Sequence, residues 1–145
     1  MTTRVDVVRV ARSYIGTPFH HMGRLPGVGL DCVGVLICCA RELGLVAPDF
    51  DIPAYTPSPD GGTMLAWAKQ YMTPLAQSEM QPGNVILLIT DTEPQHLAIL
   101  GDYRYGGLSI IHSASSAKPP RVIETRLMFS RVQRFVAVYA LPGIA

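Results

Sequence analysis

Apolar and polar positions divide the chain into two halves of different period. In the first half Val7, Val10, Ala11, Tyr14 and Ile15 recur at helical spacing behind Thr3 and Asp6, a pair suited to capping a helix start, and Gly16 and Pro18 end the run. This predicts an amphipathic helix over 4–15. Residues 17–30 carry Pro18, Gly23, Pro26, Gly27 and Gly29 and read as a loop. From 32 to 43 the chain is apolar nearly all round, with Asp31 in the N-cap position and Gly44 just past the end, which predicts a buried central helix. A proline-rich stretch (Pro48, Pro53, Pro57, Pro59) leads to Met64, Trp67, Ala68 and Tyr71, spaced for a further short amphipathic helix.

Beyond Pro82 and Gly83 the runs shorten to strand length. Residues 85–89, 95–101, 108–112, 121–124 and 135–141 are apolar or β-branched segments separated by turn residues. Helices first and strands second imply an α+β fold, with N-terminal helices packed on a C-terminal antiparallel β-sheet. A length of 145 residues, 48% of them hydrophobic, suits one domain over 1–145.

Charge narrows the function classes. A net charge of +1 with 16% charged residues provides no field to attract nucleic acid and no charged tail. Arg4, Asp6 and Arg9 interrupt the opening valines, unlike a signal peptide, and the longest apolar run, 33–40, is too short to span a bilayer. The expectation is a product made in the cytoplasm, with no membrane partner, that reaches any target outside the cell by another route. Cys32, Cys38 and Cys39 are odd in number and two are adjacent, so they read as thiols and not as a disulfide framework.

Cys32 stands at the predicted helix start, where the helix dipole and unpaired amides stabilise a thiolate and can stabilise an oxyanion. Cys39 lies about 10 Å further along the axis at ~1.5 Å per residue, and with Cys38 it reads as a small buried hydrophobe. His96 and His112 flank a turn-like segment centred on residue 104, so a hairpin there places them opposite one another on one face. One imidazole can then serve Cys32 as base while the other holds the base's second nitrogen. A lone cysteine or strand histidine is more often structural; the combination is what points to catalysis.

Four motifs in order resemble the NlpC family of papain-like cell-wall cysteine peptidases. Leu30-Asp31-Cys32-Val33-Gly34-Val35 is similar to its nucleophile signature, Gln81-Pro82-Gly83-Asn84-Val85 to the turn before its sheet, Gln95-His96-Leu97-Ala98-Ile99 to the strand bearing its base, and Ile110-Ile111-His112-Ser113-Ala114 to the strand bearing its orienting residue. Gly16-Thr17-Pro18-Phe19-His20-His21, Gly27-Val28-Gly29 and Arg121-Val122-Ile123-Glu124 narrow the likeness to single-domain peptidases of phage tails and gene transfer agents. The resemblance implies Cys32 as nucleophile, His96 as base, His112 as orienting residue, and Phe19, His20 and Asp31 as substrate-binding residues. The substrate it implies is the peptidoglycan stem peptide at the D-glutamyl-diaminopimelate bond, with phage-tail proteins as partners and no cofactor. Val33 replaces a serine, Asn84 an aspartate, and Phe19 a tyrosine whose hydroxyl serves the oxyanion, a role open to His20 or His21.

Other chemistries have weaker support. A zinc site would use cysteine and histidine, but there is no Cys-x-x-Cys pair. An acyltransferase or thioesterase on the same scaffold would use the same three residues, and a structural tail protein with a decayed site is suggested only by Phe19. No Gly-x-Ser-x-Gly turn supports a serine hydrolase.

Overall fold

A computed structural model describes residues 1–55, 63–91, 93 and 95–144; Pro57 and Pro59 of the proline-rich stretch lie outside the described residues. The first helix, α1 (Arg4–Ser13), begins as the Thr3–Asp6 pair predicts: the Asp6 amide donates to Thr3 Oγ1 at 3.4 Å and the Thr3 amide to Asp6 Oδ2 at 2.9 Å. It ends two residues before the predicted end because the Tyr14 and Ile15 amides turn back to Ala11 and Arg12 in tighter i−3 bonds. Within the stretch predicted as loop, β1 (Arg24–Leu25) and β2 (Gly29–Leu30) form a small antiparallel ribbon, each too short to show a period.

The central helix, α2 (Cys32–Glu42), is buried along most of its length. It closes in a Schellman arrangement: Gly44 has φ +70°, its amide reaches Arg41 O at 3.1 Å, and the Leu45 amide reaches Ala40 O at 2.9 Å. Helix α3 (Thr63–Tyr71) follows. Among the described residues no helix is long and apolar enough to cross a membrane.

The sheet comprises β3 (Thr73–Leu75), β4 (Val85–Thr90), β5 (His96–Asp102), β6 (Leu108–Ala114), β7 (Arg121–Arg126) and β8 (Gln133–Ala140), in the spatial order β3-β8-β4-β5-β6-β7 with all neighbours antiparallel. The observed architecture is the α+β arrangement predicted. Alternate residues serve two cores: Val85, Leu87, Leu97, Ile99 and Ile111 pack with α1 and α2, whereas Ile86, Leu88, Ala98, Leu100, Ile110 and Val138 form a second cluster. The turn before β4 docks beneath α1. Gly83, at φ +91°, lies so close to the Arg4 backbone that no side chain fits, and Asn84 Oδ1 accepts the Gln81 amide at 2.9 Å, filling the turn role expected of it.

One expectation is corrected. Ile99 pairs with Ile111, so the β5–β6 hairpin is centred on residue 105 (the mean of 99 and 111), not 104. His112 is therefore diagonal to His96 and not directly opposite. Moving the centre by one residue changes the sum of paired numbers by two, which keeps both histidines on one face and within reach.

Candidate active site

The start of α2 is held by a buried carboxylate. Asp31, in extended backbone at the N-cap and 4% exposed, accepts from the Gly34 amide (2.8 Å), the Met22 amide (2.8 Å), Arg24 Nη1 (3.0 Å) and the Tyr55 hydroxyl. Arg24 continues the network to Asp51 at 3.1 Å, and Arg41 reaches Asp51 at 3.5 Å. Burial, reinforced by the Asp31 carboxylate, raises the Tyr55 pKa, so the phenol remains a donor. Gly34 allows this loop to approach: a β-carbon there would overlap the Gly23 carbonyl oxygen.

The nucleophile candidate follows directly. Cys32 is the first residue of α2 and 8% exposed. Asp31 satisfies the Gly34 amide, so the Cys32 and Val33 amides remain the orphan donors of the first turn, available to an anionic oxygen.

His96, 1% exposed, lies at the start of β5. Its Nε2 is 2.6 Å from His112 Nδ1, with the two rings edge to face at 76°. Its other side faces Cys32 and a residue that sequence reasoning missed, Glu93, whose Oε2 lies 2.5 Å from His96 Nδ1. The Cys32 sulfur, a Glu93 oxygen and a His96 nitrogen all lie within 4.8 Å of one another. Glu93 is anchored by Ser115 Oγ at 3.1 Å and by its own amide, which donates to Thr90 Oγ1 at 2.9 Å. The only prior signal was an acidic residue three positions before the histidine. Arg24 and Tyr55 were also missed, because no spacing rule pairs them with Asp31.

Electrostatics separate the two histidines. Burial opposes charge on His96, but the adjacent Cys32 and Glu93 outweigh it and raise its pKa to about 10. His112 is pushed down to about 3 by burial and by the neighbouring charge of His96. Although burial raises Glu93, its contact with His96 prevails and lowers it. The resulting state is an imidazolium at His96 between two acidic partners and a neutral imidazole at His112. With His96 Nε2–H donating to His112 Nδ1, His96 Nδ1 is directed to the acidic side. Burial also raises Cys38, and it raises Cys39 to about 12, so neither competes as a thiolate.

The structure therefore brings Cys32, His96 and His112 together. Phe19, half-buried, forms a parallel bridge with Leu30, two residues ahead of Cys32, and the His20 amide donates to Leu30 O at 3.2 Å while its ring stays exposed. Asp31 is on the opposite footing: its oxygens are engaged by four protein donors. Beside the site Val33, Leu36, Trp67, Ala68, Leu97 and neighbouring side chains line an apolar cavity of about 150 Å³.

No family model matches the chain. A probable endopeptidase of Mycobacterium tuberculosis and one of Mycobacterium bovis are each 31% identical over 121 residues, covering 83% of this chain. The chain spans only about a quarter of the length of these relatives, 26%. Among solved structures, the NlpC/p60 domain of the peptidoglycan hydrolase SagA aligns over 97% of this chain and 100% of its own, with a TM-score of 0.64 and 19% identity. An N-acetylmuramoyl-L-alanine amidase from Bacteroides uniformis aligns over 97% of this chain and 99% of its own, with a TM-score of 0.58 and 10% identity.

Proposed function

We propose that this chain, which folds as an NlpC/p60 domain, is a cysteine peptidase that hydrolyses an amide bond of peptidoglycan stem peptides. The observation that carries this reading is the sequence of contacts from Cys32 at a helix N-terminus, through buried His96, to His112 at 2.6 Å. In the proposed reaction the Cys32 thiolate attacks the scissile carbonyl, and the amides at the start of α2 receive the oxyanion. His96 Nδ1 passes its proton to the leaving amine. Water then attacks the thioester with His96 as base, releasing the acid and restoring the thiol. His112 stays neutral and fixes the tilt of the His96 ring.

The finer assignments rest on the sequence motifs. The scissile bond is that between D-glutamate and diaminopimelate, and the chain acts as a component of a phage-tail-type particle, made in the cytoplasm and delivered to the wall, with other tail proteins as partners. Phe19 and His20, joined to Leu30, border the approach to Cys32, where His20 supplies the polar group that Phe19 lacks. Asp31 acts on substrate through its hold on the α2 start.

Purified protein and its Cys32→Ala variant, incubated with peptidoglycan, test the reading by mass spectrometry of released fragments. New stem-peptide fragments from the unsubstituted chain alone are expected, and their masses identify the bond; no release by either protein rejects peptidoglycan as substrate. The apolar cavity beside Val33 and Leu97 favours one second reading, an acyltransferase or thioesterase. Faster turnover of long-chain than short-chain acyl thioesters, without stem-peptide release, would support it.

A further inference from the structure

We propose that Cys32, Glu93 and His96 form a binding site for a thiophilic divalent cation of the zinc type, and that an ion bound there silences the nucleophile. The three side chains carry the donor types that zinc prefers, a thiolate, an imidazole nitrogen and a carboxylate oxygen, and those atoms lie within 4.8 Å of one another. Sequence spacing conceals the set, because Cys32 comes from a helix start and the other two from the approach to β5.

Two further observations point to a ligand. His96 Nδ1, on a side chain only 1% exposed, has no aligned hydrogen-bond partner among the described residues; the Glu93 oxygen at 2.5 Å is close but off the bonding direction. In addition, His96 Nε2 is already held by His112 Nδ1 at 2.6 Å. That is the arrangement of a metal-ligating histidine, in which the outer nitrogen is held so that the inner nitrogen has a set direction; the ion displaces the proton that the imidazolium carries at Nδ1, which leaves to solvent.

The donor atoms, now within 4.8 Å of one another, must settle at the spacing a metal imposes. Tetrahedral zinc, with bonds of roughly 2.0–2.3 Å, separates its donor atoms by about 3.3–3.5 Å. The Glu93 carboxylate must therefore withdraw from His96 by about 0.8 Å, the difference between that spacing and the present contact. Its side chain is more exposed than that of His96, at 19% against 1%, which leaves it room to turn. Three protein ligands and a water then complete the coordination. An ion so placed takes the sulfur lone pair and the base nitrogen together, so acyl transfer stops while the metal stays.

Cobalt(II) and zinc(II) titrations of the whole chain test the proposal without reference to any substrate, so it stands or falls apart from the peptidase reading. Cobalt is expected to bind at one equivalent with a thiolate-to-metal charge-transfer band, and zinc to displace it. Cys32→Ser should abolish the band, and Glu93→Gln, a near-isosteric change, should weaken zinc binding by at least about 10-fold. Cys38→Ser should leave both unchanged, and circular dichroism of each variant reports its fold. Absence of the band, its survival in Cys32→Ser, or equal zinc affinity in folded Glu93→Gln would each overturn the assignment.

Discussion

Replacing Asp31 tests whether the catalytic helix start is held by one buried carboxylate. Asp31→Ala removes an N-cap worth about 1 kcal/mol. It also leaves Arg24, whose side chain is 12% exposed, without its buried partner, a loss of roughly 3 kcal/mol where no second anion compensates. Asp51 retains a contact with Arg24 and reduces that cost, whereas the Met22 amide and the Tyr55 hydroxyl lose their acceptor at about 1 kcal/mol each. These terms share partners and do not add fully, so the expected destabilisation is about 4 kcal/mol. Asp31→Asn keeps a cap oxygen for Gly34 but loses the charge facing Arg24, and should cost about 2 kcal/mol. Urea unfolding of the three proteins measures both values, and the iodoacetamide reaction of Cys32 shows whether its environment loosens in parallel. A loss below about 1 kcal/mol for alanine, or equal losses for the two variants, would refute the argument. A substrate-contacting Asp31 would behave differently, since Asp31→Asn would then raise KM with stability intact.

Stability should pass through a maximum near neutrality. His112, whose folded pKa lies below its unfolded value, contributes stability present above about pH 6.5 and lost as pH falls toward 3, whereas His96, raised to about 10, contributes stability present below about 6.5 and lost as pH rises toward 10. Thermal melts from pH 5 to 9, a range above most carboxylate titration, should show both slopes; His112→Ala should flatten the acid side and His96→Ala the alkaline side, and unchanged slopes would contradict the assignment. Glu93→Gln removes one of the two acidic neighbours of the His96 imidazolium, so the alkaline limb of kcat/KM should move to lower pH; a limb that stays in place would exclude that role. Gly34→Ala drives a methyl group into the Gly23 carbonyl and should cost about 1–3 kcal/mol in urea unfolding, against the small gain alanine brings to an open helix position.

Local signals carried much of the architecture. Thr3 and Asp6, Asp31, and Gly44 mark helix ends through bonds made within a few residues, so α1 and α2 were legible from spacing, as were the main strands from their apolar runs. Cys32 as a helix-start thiol and the shared face of His96 and His112 were equally open to reading, because period and parity survive a one-position error in the hairpin centre. What depends on separated segments was not legible. Glu93 joins the site only when the approach to β5 meets α2, and Asp31 is bound by Arg24 and Tyr55 from loops that no sequence period describes. Nor does the sequence say which of two identical imidazoles carries the charge. His96, beside Cys32 and Glu93, gains neighbours that stabilise its charge, while among the described residues His112 is set against the charge of His96; the tertiary fold decided this because the cost of burying a charge depends on what surrounds it.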